Sequence, residues 1–533
     1  MKKLLSLLLV AAMLLPVLAG CGGGDKTPSA DGGSAADTSN TASSKQPEAL
    51  IIRATGDPRS FNPTMDGDDN LYPIAQNMFH RLVCLDASKS PVPDAAESWD
   101  VSEDACTITW HLKKELKWHD GEALDAEDVK YTFDYIKEHP TCYFSSSMDI
   151  VDSIEIVDPY TVTFHFSRPD MSFVARVGWY GTFILPEHIF NNGQTWEENP
   201  ASQKPIGSGP YKFESFSQGS AITLVANEDY AYGVPAIKKL IFSIIPDDAT
   251  AVQAFLNGEV DFLEMVPAAY VDQFLSDSSI RMILDEFPSP WRILFNVTNE
   301  KLSDVAVRKA IAMCIDRDDI SNKVSGGVMP AEYSVYPSVV EWCSNTTDTF
   351  PKLDIAGASK VLEDAGYTKD ADGYYVRGIE WEVFEGMEDM ANLIIANCKE
   401  AGIELKLNLS EFNAWDAKVN TEGNFMMESQ GGFMGPDPAT LFQCCGTGQG
   451  RNYSLWSNAE FDELCQQAAA EPDQAKRADL YKQAQKIVAE ELPMVNVLGY
   501  ASYKACNAKL KDMPSDGTGK WGWADYSHAY FAD

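Results

Sequence analysis

The sequence contains few basic residues for its length. It has 42 Lys and Arg against 79 Asp and Glu, a formal net charge of −37 at pH 7. A surface of this sign repels polyanions, so we predict no nucleic-acid partner and no electrostatic adhesion to anionic lipid. Histidine is also scarce, with 7 residues, and neither His-x-x-x-His nor Cys-x-x-Cys occurs. The sequence therefore predicts no metal site and no cofactor.

The sequence patterns of common catalytic sites are missing as well. There is no Gly-x-Ser-x-Gly elbow, no zinc-binding helix and no Walker-type phosphate loop. Gly207-Ser208-Gly209 is not a nucleophile elbow, because the outer glycines are absent. Paired carboxylates are too common in so acidic a chain to be informative. We therefore predict that the protein is not an enzyme.

Long hydrophobic runs are confined to the N-terminus. The apolar segment Leu4–Leu15 is shorter than the roughly 20 residues that a membrane-spanning helix needs. It is followed by Leu18-Ala19-Gly20-Cys21, the pattern at which bacterial prolipoproteins are cleaved and lipidated. We predict a signal peptide over residues 1–20 and an acylated Cys21 that holds the chain on a lipid bilayer without crossing it. The alternatives are ordinary secretory cleavage near Ala19 and an uncleaved anchor.

Residues 22–47 have almost no apolar side chains and consist largely of Gly, Ser, Ala, Thr and Asp. Such a segment cannot offset its ordering entropy, so it is predicted to be a flexible tether. Loss of the signal peptide with its two lysines makes the remaining chain more acidic, −37 − 2 = −39. We expect a globular body from about residue 48 to residue 533, lipid-anchored on the outer face of the bacterial cytoplasmic membrane.

Ten cysteines remain besides Cys21, without the dense, regular spacing of a small disulfide scaffold. Cys314, Cys398 and Cys465 fall on apolar stripes of predicted helices, where a buried thiol behaves as a small hydrophobic group. We therefore expect mostly free thiols. For the adjacent Cys444-Cys445 three interpretations stay open: a strained disulfide, a metal contact, or no special role.

Predicted helices and strands alternate along the body. Cys106–Leu112 alternates apolar and polar residues, as a half-buried strand does, and Ser153–Phe166 is a predicted hairpin that turns at Asp158-Pro159-Tyr160. Asp125 is a predicted helix N-cap with Asp128 in the capping-box position. A new region is expected to open at Trp291. This alternation indicates an α/β fold with helices covering the sheets.

The stretch Pro205–Tyr211 contains the predicted crossing Gly207, Ser208 and Gly209. Both glycines permit a positive φ, and Pro210 pushes Gly209 away from helical geometry. A strand is expected to begin at Tyr211. Taken alone, these residues also fit an ordinary glycine turn.

An ordered series of short segments spans nearly the whole body: Ala95–Trp99, Trp118–Gly121, Ala126–Val129, Pro205–Tyr211, Asn257–Asp261, Ser303–Asp304, Val307–Ile311, Ile315–Arg317, Asp364–Tyr367, Asp437–Pro438 and Arg477–Tyr481. In this order the series resembles the family 5 extracellular solute-binding proteins, the peptide and nickel receptors of ABC importers. The resemblance implies an α/β, two-lobed clamshell of the type II periplasmic-binding-protein class with a subdomain inserted in lobe one. Transferred to this chain, lobe one comprises residues 48–84, 207–288 and 500–533, the insert 85–206, and lobe two 289–499. The Gly207 crossing then returns the chain from the insert to lobe one.

The resemblance also implies a binding site between the lobes. Many relatives clamp the amino terminus of a peptide with an aspartate shortly before an acidic-Pro pair. Here the corresponding loop is shortened, and its only acid is Asp437. Two roles are open for Asp437: an amine clamp, or a residue that only turns the loop.

Five further residues are candidates for contact with the ligand or its pocket. Trp291 and Arg292 lie where the chain enters lobe two, and Arg292 either pairs with a ligand carboxylate or forms an ion pair within the lobe. Trp415, Phe433 and Met434 are candidate pocket residues, although aromatic side chains more often belong to a core.

The resemblance implies a receptor that closes around a peptide or similar small solute and passes it to the permease subunits of an ABC importer. We expect a monomer without a cofactor. The alternatives are a non-peptide solute, such as an oligosaccharide or a metal chelate, and a role in sensing rather than import.

Overall fold

The computed structural model describes residues 49–65, 68–86, 89–432, 434–514, 520–521 and 525–532. The predicted signal peptide, Cys21 and the tether lie outside the described residues, and so does Phe433. Among the described residues, no helix is both long and apolar enough to cross a bilayer.

The strands, numbered in chain order, are β1 Ala49–Ala54, β2 Val83–Asp86, β3 Pro91–Pro93, β4 Ala96–Val101, β5 Thr107–Leu112, β6 Val151–Asp158, β7 Thr161–Phe166, β8 Tyr211–Ser217, β9 Ala221–Ala226, β10 Lys239–Ile244, β11 Phe262–Leu263, β12 Ile280–Phe295, β13 Val376–Phe384, β14 Ile403–Ser410, β15 Met427–Gly431, β16 Met494–Asn507, β17 Leu510–Lys511, β18 Lys520–Trp521 and β19 Tyr530–Phe531.

The α-helices are α1 Tyr72–Met78, α2 Ala126–Glu138, α3 Phe173–Arg176, α4 Glu187–Phe190, α5 Asp248–Leu256, α6 Val271–Leu275, α7 Val305–Ala312, α8 Arg317–Ser325, α9 Ile355–Asp364, α10 Glu388–Glu400, α11 Phe412–Asp416, α12 Ala439–Cys445, α13 Ala459–Ala470 and α14 Gln474–Glu491. Short 3₁₀ turns lie at Ser145–Ile150, Pro200–Gln203 and Ala268–Tyr270, and a π turn at Ala417–Thr421.

One ten-stranded sheet runs through the whole body in the order β14-β13-β15-β12-β16-β11-β1-β10-β9-β8. Its two central strands, β12 and β16, are the longest, with 16 and 14 residues, and they pair antiparallel. One end of this pair joins β11, and the other end joins β15. Two half-sheets are therefore connected through two long shared strands.

Strand β12 runs through the lobe boundary that the sequence predicted, and the boundary itself stays a prediction. We expected a new region to open at Trp291, but β12 begins at Ile280 and continues through Trp291 to Phe295. A register shift between Phe287 and Trp291 accommodates Pro288 and Pro290, which cannot donate to a ladder. The two halves thus share a strand where the sequence indicated a boundary.

Each half has its own large hydrophobic core. One core joins β1, β8–β10 and the segment between β2 and β8, with Trp110 and Phe164 fully buried. The other core joins α7–α10, α12–α14 and β13–β15, with Trp381 at its centre. Separate cores leave the shared strands as the main structural connection between the halves.

The segment between β2 and β8 carries its own four-stranded sheet, β4-β5-β7-β6, with α2 packed against it. The predicted hairpin is confirmed as β6 and β7, which pair antiparallel. The predicted capping box is also confirmed: the Asp125 side chain accepts from a backbone N–H of the first turn, and Asp128 accepts from the N–H of Asp125. Burial raises the pKa of Asp128 to about 6.

The Gly207 crossing packs against the end of α1. Ser208 and Gly209 each donate a backbone hydrogen bond to the Met78 carbonyl, at 2.8 and 2.7 Å. A Cβ on Gly207 would lie 1.9 Å from that oxygen. Neither Gly207 nor Gly209 has a positive φ, so the expectation about backbone conformation is wrong. Glycine is required here because the two chain segments approach closely.

All ten cysteines in the described part of the chain are free, and nine are buried, so the expectation of free thiols is confirmed. Cys444 and Cys445 are buried in α12 and are not joined by a disulfide. No cluster of three or more potential metal ligands occurs among the described residues.

Candidate functional site

Each half of the sheet contains a set of parallel strands. The carboxyl ends of both sets are directed towards the shared strands β12 and β16, one set from each side. In the first half, β1 is parallel to β10 and β11. In the second half, β13 is parallel to β14 and β15, and Gly431 at the end of β15 pairs with Trp291 of β12. Ligands of open α/β sheets bind outside the carboxyl ends of such strands. The segments Phe287–Trp291 and Leu498–Tyr500 therefore form the floor of a candidate binding cleft.

A cavity of about 560 Å³ lies at the first-half side of this cleft. Its walls come from the end of β1, from the shared strands and from the loop before α4, and they include Tyr143, Trp179, Tyr180, Phe287 and Tyr500. A mostly apolar cavity with a few polar groups is typical of a small-molecule site.

Four charged side chains line the same cavity: Arg53, Asp69, Glu264 and Lys504. The buried Lys504 ammonium lies 2.8 Å from Asp285 and 3.6 Å from Glu264. Burial alone would lower the pKa of Lys504, but the two carboxylates outweigh burial and hold that pKa above its usual range. Arg53 pairs with Asp248 at 2.6 Å.

Sequence reasoning missed these four residues. One signal was available: Lys504 stands inside β16, next to Tyr503 and Ala505, in a strand with an otherwise apolar and small-residue pattern. A lysine that is buried in such a strand needs carboxylate partners, and these come from distant segments of the chain.

A smaller cavity of about 210 Å³ joins the segment around Tyr143 to the loop around Asp437. Nearby, the Met171 N–H donates to the Ala469 carbonyl at 3.0 Å, which links the inserted segment to α13. The Met434 N–H donates to the Pro288 carbonyl at 2.8 Å. The Asp437 loop is thus hydrogen-bonded to the floor of the cleft.

Trp291 and Trp415 belong to one aromatic group at the second-half side of the cleft. The ring of Phe384 lies 6.0 Å from that of Trp291 and 5.0 Å from that of Trp415. Neither indole N–H has a hydrogen-bond partner among the residues that the structure describes. Phe412 beside them is 52% exposed, so the group reaches the surface. Their role as ligand contacts stays a prediction.

Arg292 points to the opposite side of the sheet from Trp291 and is 2% exposed. Its guanidinium contacts the Cys444 sulfur at 3.7 Å, its Nε has no partner, and no ion pair joins it to a described carboxylate. The nearby Glu428 is fully buried; burial raises its pKa to about 8, while the charge of Arg292 acts to lower it. Arg292 is therefore a buried guanidinium without an ion-pair contact among the described residues, and Glu428 is the carboxyl that acts on its pKa.

Met434 and Asp437 are both buried. The Met434 side chain belongs to the second core, and its carbonyl accepts from the Tyr336 hydroxyl at 2.9 Å. The Asp437 carboxylate accepts two hydrogen bonds from Arg477 and one from the Ala439 N–H. This arrangement favours a role for Asp437 in fixing the loop, the second of the two roles open from sequence.

Two α/β halves with separate cores, joined by two strands and facing each other across their carboxyl ends, define a two-lobed clamshell. Residues 90–452 match the model for bacterial extracellular solute-binding proteins, family 5 Middle, and the chain belongs to this family. It is a family of binding receptors rather than enzymes.

Similar proteins match along nearly their whole length. The dipeptide-binding protein of Escherichia coli K12 is 27% identical over 505 residues, 90% of this chain and 94% of that protein. The oligopeptide-binding protein AppA of Bacillus subtilis 168 is 28% identical over 516 residues, 92% of both chains. The structure of HbpA2 from Haemophilus parasuis superposes with a TM-score of 0.81 at 25% identity and covers 91% of this chain and 100% of its own.

Proposed function

We propose that this protein is a membrane-anchored receptor that captures peptides outside the cytoplasm and delivers them to an ABC importer. The observation that carries the proposal is the cavity of about 560 Å³ at the carboxyl ends of the first half-sheet, beside two strands shared by both halves. Relatives named for dipeptide and oligopeptide binding support a peptide as the solute.

Closure of the clamshell is the proposed mechanism. Residues 48–84, 207–288 and 500–533 form lobe one with the insert 85–206, and 289–499 form lobe two. β12 and β16 connect the lobes, and the irregular pairing between Phe287 and Trp291 gives a place where they can bend. A solute that contacts both lobes only in the closed form shifts the population towards closure. The closed receptor then docks on the permease.

Arg292 is the proposed partner of a ligand carboxylate in lobe two. A buried guanidinium without an ionised partner is costly, and a bidentate carboxylate would compensate its charge. Gly432 of the loop packs directly against the guanidinium, since a Cβ there would lie 2.7 Å from Nη2. Trp291 and Trp415 would then hold the adjoining part of the peptide.

Calorimetry with di- to pentapeptides tests the proposal. The wild-type protein should bind free-acid peptides more tightly than the same peptides with an amidated C-terminus. Arg292→Met should remove that preference and weaken binding of the free acids by about 2–5 kcal/mol. Arg377→Met, which changes an exposed arginine, is the matched control and should bind as the wild type does.

The outcomes separate the parts of the proposal. If the wild type binds no peptide, the peptide assignment is wrong, and an oligosaccharide or a metal chelate becomes the leading solute. If peptides bind but Arg292→Met leaves the acid preference intact, the receptor assignment stands and the role of Arg292 is wrong.

A further inference from the structure

The charges in the wall of the 560 Å³ cavity do not balance. Its two cations are neutralised by carboxylates outside the wall: Arg53 pairs with Asp248, and Lys504 lies closest to Asp285. Two carboxylates of the wall, Asp69 and Glu264, remain. Among the charged residues of the wall and their ion-pair partners, carboxylates therefore outnumber cations.

Glu264 is held in place at the cavity wall. Its Oε1 accepts a hydrogen bond from the Tyr526 hydroxyl at 2.7 Å, and its Oε2 lies 3.6 Å from the Lys504 ammonium. The ammonium is nearer to Asp285, at 2.8 Å, so it neutralises Glu264 only in part. The carboxylate is 19% exposed and can accept a further donor from the cavity.

Asp69 lies in the segment just before α1. It is an exposed residue that lines the cavity. Partial burial of the Asp69 carboxyl raises its pKa, and the negative charge of the neighbouring Asp68 raises it further. Arg59, whose positive charge acts to lower the pKa of Asp69, is 67% exposed and lies 3.8 Å from Asp68. Burial is the main cause that raises the pKa values of Tyr180 and Tyr500, and the negative charge of Asp69 raises both further. Tyr180 and Tyr500 line the same cavity as Asp69.

Aromatic rings form the remaining wall beside Asp69. Tyr180 is the centre of this group: Trp179 lies at 4.4 Å and Tyr143 meets it edge-on at 5.7 Å, while the buried Tyr72, which does not line the cavity, stacks on Tyr180 at 4.1 Å. The faces of such rings carry negative electrostatic potential and attract cations. Carboxylates and aromatic faces therefore favour the same kind of ligand group.

We propose that this cavity binds a cationic group of the solute, an ammonium or a guanidinium, between Asp69, Glu264 and the aromatic wall. The inference rests on the proposed receptor function and specifies its substrate class. Closure over a neutral group would bury Asp69 and the partly neutralised Glu264 without a further cation, which is costly. A cation removes that cost in the closed form, so the cavity selects for positive charge.

In a peptide the cation has two possible sources, the amino terminus and a basic side chain. Calorimetry with four tripeptides distinguishes them: Ala-Lys-Ala, the same peptide acetylated on the lysine side chain, the same peptide acetylated at the amino terminus, and Ala-norleucine-Ala. Acetylation of the group that occupies the cavity should weaken binding to the wild type by about tenfold or more. Acetylation of the other amine should have a smaller effect. If the side chain is the source, norleucine should show the same loss as acetyl-lysine.

Two variants locate the effect in the cavity. Asp69→Asn removes charge from an exposed carboxylate with little risk to folding, and Glu264→Gln removes it from the hydrogen-bonded one. Each should reduce the penalty for acetylation. Asp152→Asn, on the exposed side of β6, changes the net charge equally and should leave the penalty unchanged.

Three results would overturn the inference. One is equal binding of the charged and acetylated peptides by the wild type. Another is an undiminished acetylation penalty in Asp69→Asn, and a third is the same reduction in Asp152→Asn. Failure of every peptide to bind, charged or neutral, would instead refute the proposed peptide receptor.

Discussion

The two carboxylate oxygens of Asp437 accept hydrogen bonds from the two terminal nitrogens of Arg477, at 2.6 and 2.7 Å. Both side chains are buried, and the pair joins the loop after β15 to α14. Burial alone would lower the pKa of Arg477, but Asp437 outweighs burial and raises it. An amine clamp at Asp437 would have to share the carboxylate with this guanidinium.

The ion pair predicts a large stability effect. Asp437→Asn keeps the shape but leaves Arg477 without its counter-charge, so the free energy of unfolding should fall by about 3–5 kcal/mol. Urea denaturation monitored by tryptophan fluorescence measures this free energy of unfolding. The control is Asp364→Asn, which breaks an exposed pair with Lys360, 65% and 71% exposed respectively, and should change stability far less. Equal effects of the two substitutions would show that the buried pair does not hold the loop.

Close packing at the Gly207 crossing gives a second prediction. Gly207→Ala would place a Cβ 1.9 Å from the Met78 carbonyl oxygen, so α1 or the crossing must move. The free energy of unfolding should fall by about 1–3 kcal/mol or more. Gly450→Ala, where no atom lies within 4 Å of the added carbon, should be nearly neutral in the same denaturation experiment. A Gly207→Ala protein as stable as Gly450→Ala would contradict this packing.

The sequence predicted well those helices and strands whose boundaries are set by residues next to them in the chain. Asp125 and Asp128 define the start of α2 within four residues, and Asp158-Pro159-Tyr160 defines a hairpin turn. The continuous strand β12 was missed because Pro288 and Pro290 indicate a break, whereas pairing with β16 on both sides of them restores the strand. Long-range pairing overrode the local signal.

The candidate site was less predictable for the same reason. Asp69, Glu264 and Lys504 are far apart in the chain, and only the order of strands in the sheet brings them to one cavity. Arg292 was predicted because it lies where the chain was expected to enter lobe two, and its contact with a ligand stays a prediction. Its lack of a carboxylate partner could be seen only after the neighbouring helices were placed.

The predicted anchor can be tested independently of the fold. Cys21→Ala should abolish metabolic labelling with a palmitate analogue and move the protein from the detergent phase to the aqueous phase in phase separation, because the acyl chains supply the membrane affinity. Cys106→Ser, which changes a cysteine within the body, should remain labelled and membrane-bound. Continued partitioning of Cys21→Ala with the detergent would refute the lipid anchor.

His119 predicts how stability depends on pH. Its Nδ1 accepts from the Gly207 N–H at 3.1 Å, and its Nε2 donates to the Gly209 carbonyl at 3.1 Å, so the ring must be neutral in the folded protein. Burial lowers its pKa from 6.5 to about 4. Between these values the unfolded chain binds a proton that the folded chain does not, so stability falls as the pH falls. Asp128, whose pKa is raised from 3.8 to about 6, has the opposite effect on stability: between these two pH values it stabilises the folded protein as the pH falls. The contribution of Asp128 is the same in the wild type and in a His119 variant, so it cancels when the two are compared.

Between pH 7.5 and pH 5 the wild type should therefore lose on the order of 2 kcal/mol more unfolding free energy than His119→Gln does. Glutamine retains a donor and an acceptor at this position but does not titrate, so Asp128 and every other carboxylate contribute equally to both proteins. Urea denaturation at 0.5-unit pH intervals gives the two stability curves. Parallel curves over this range, or a wild type that gains stability relative to His119→Gln on acidification, would show that the crossing does not hold His119 in its neutral form.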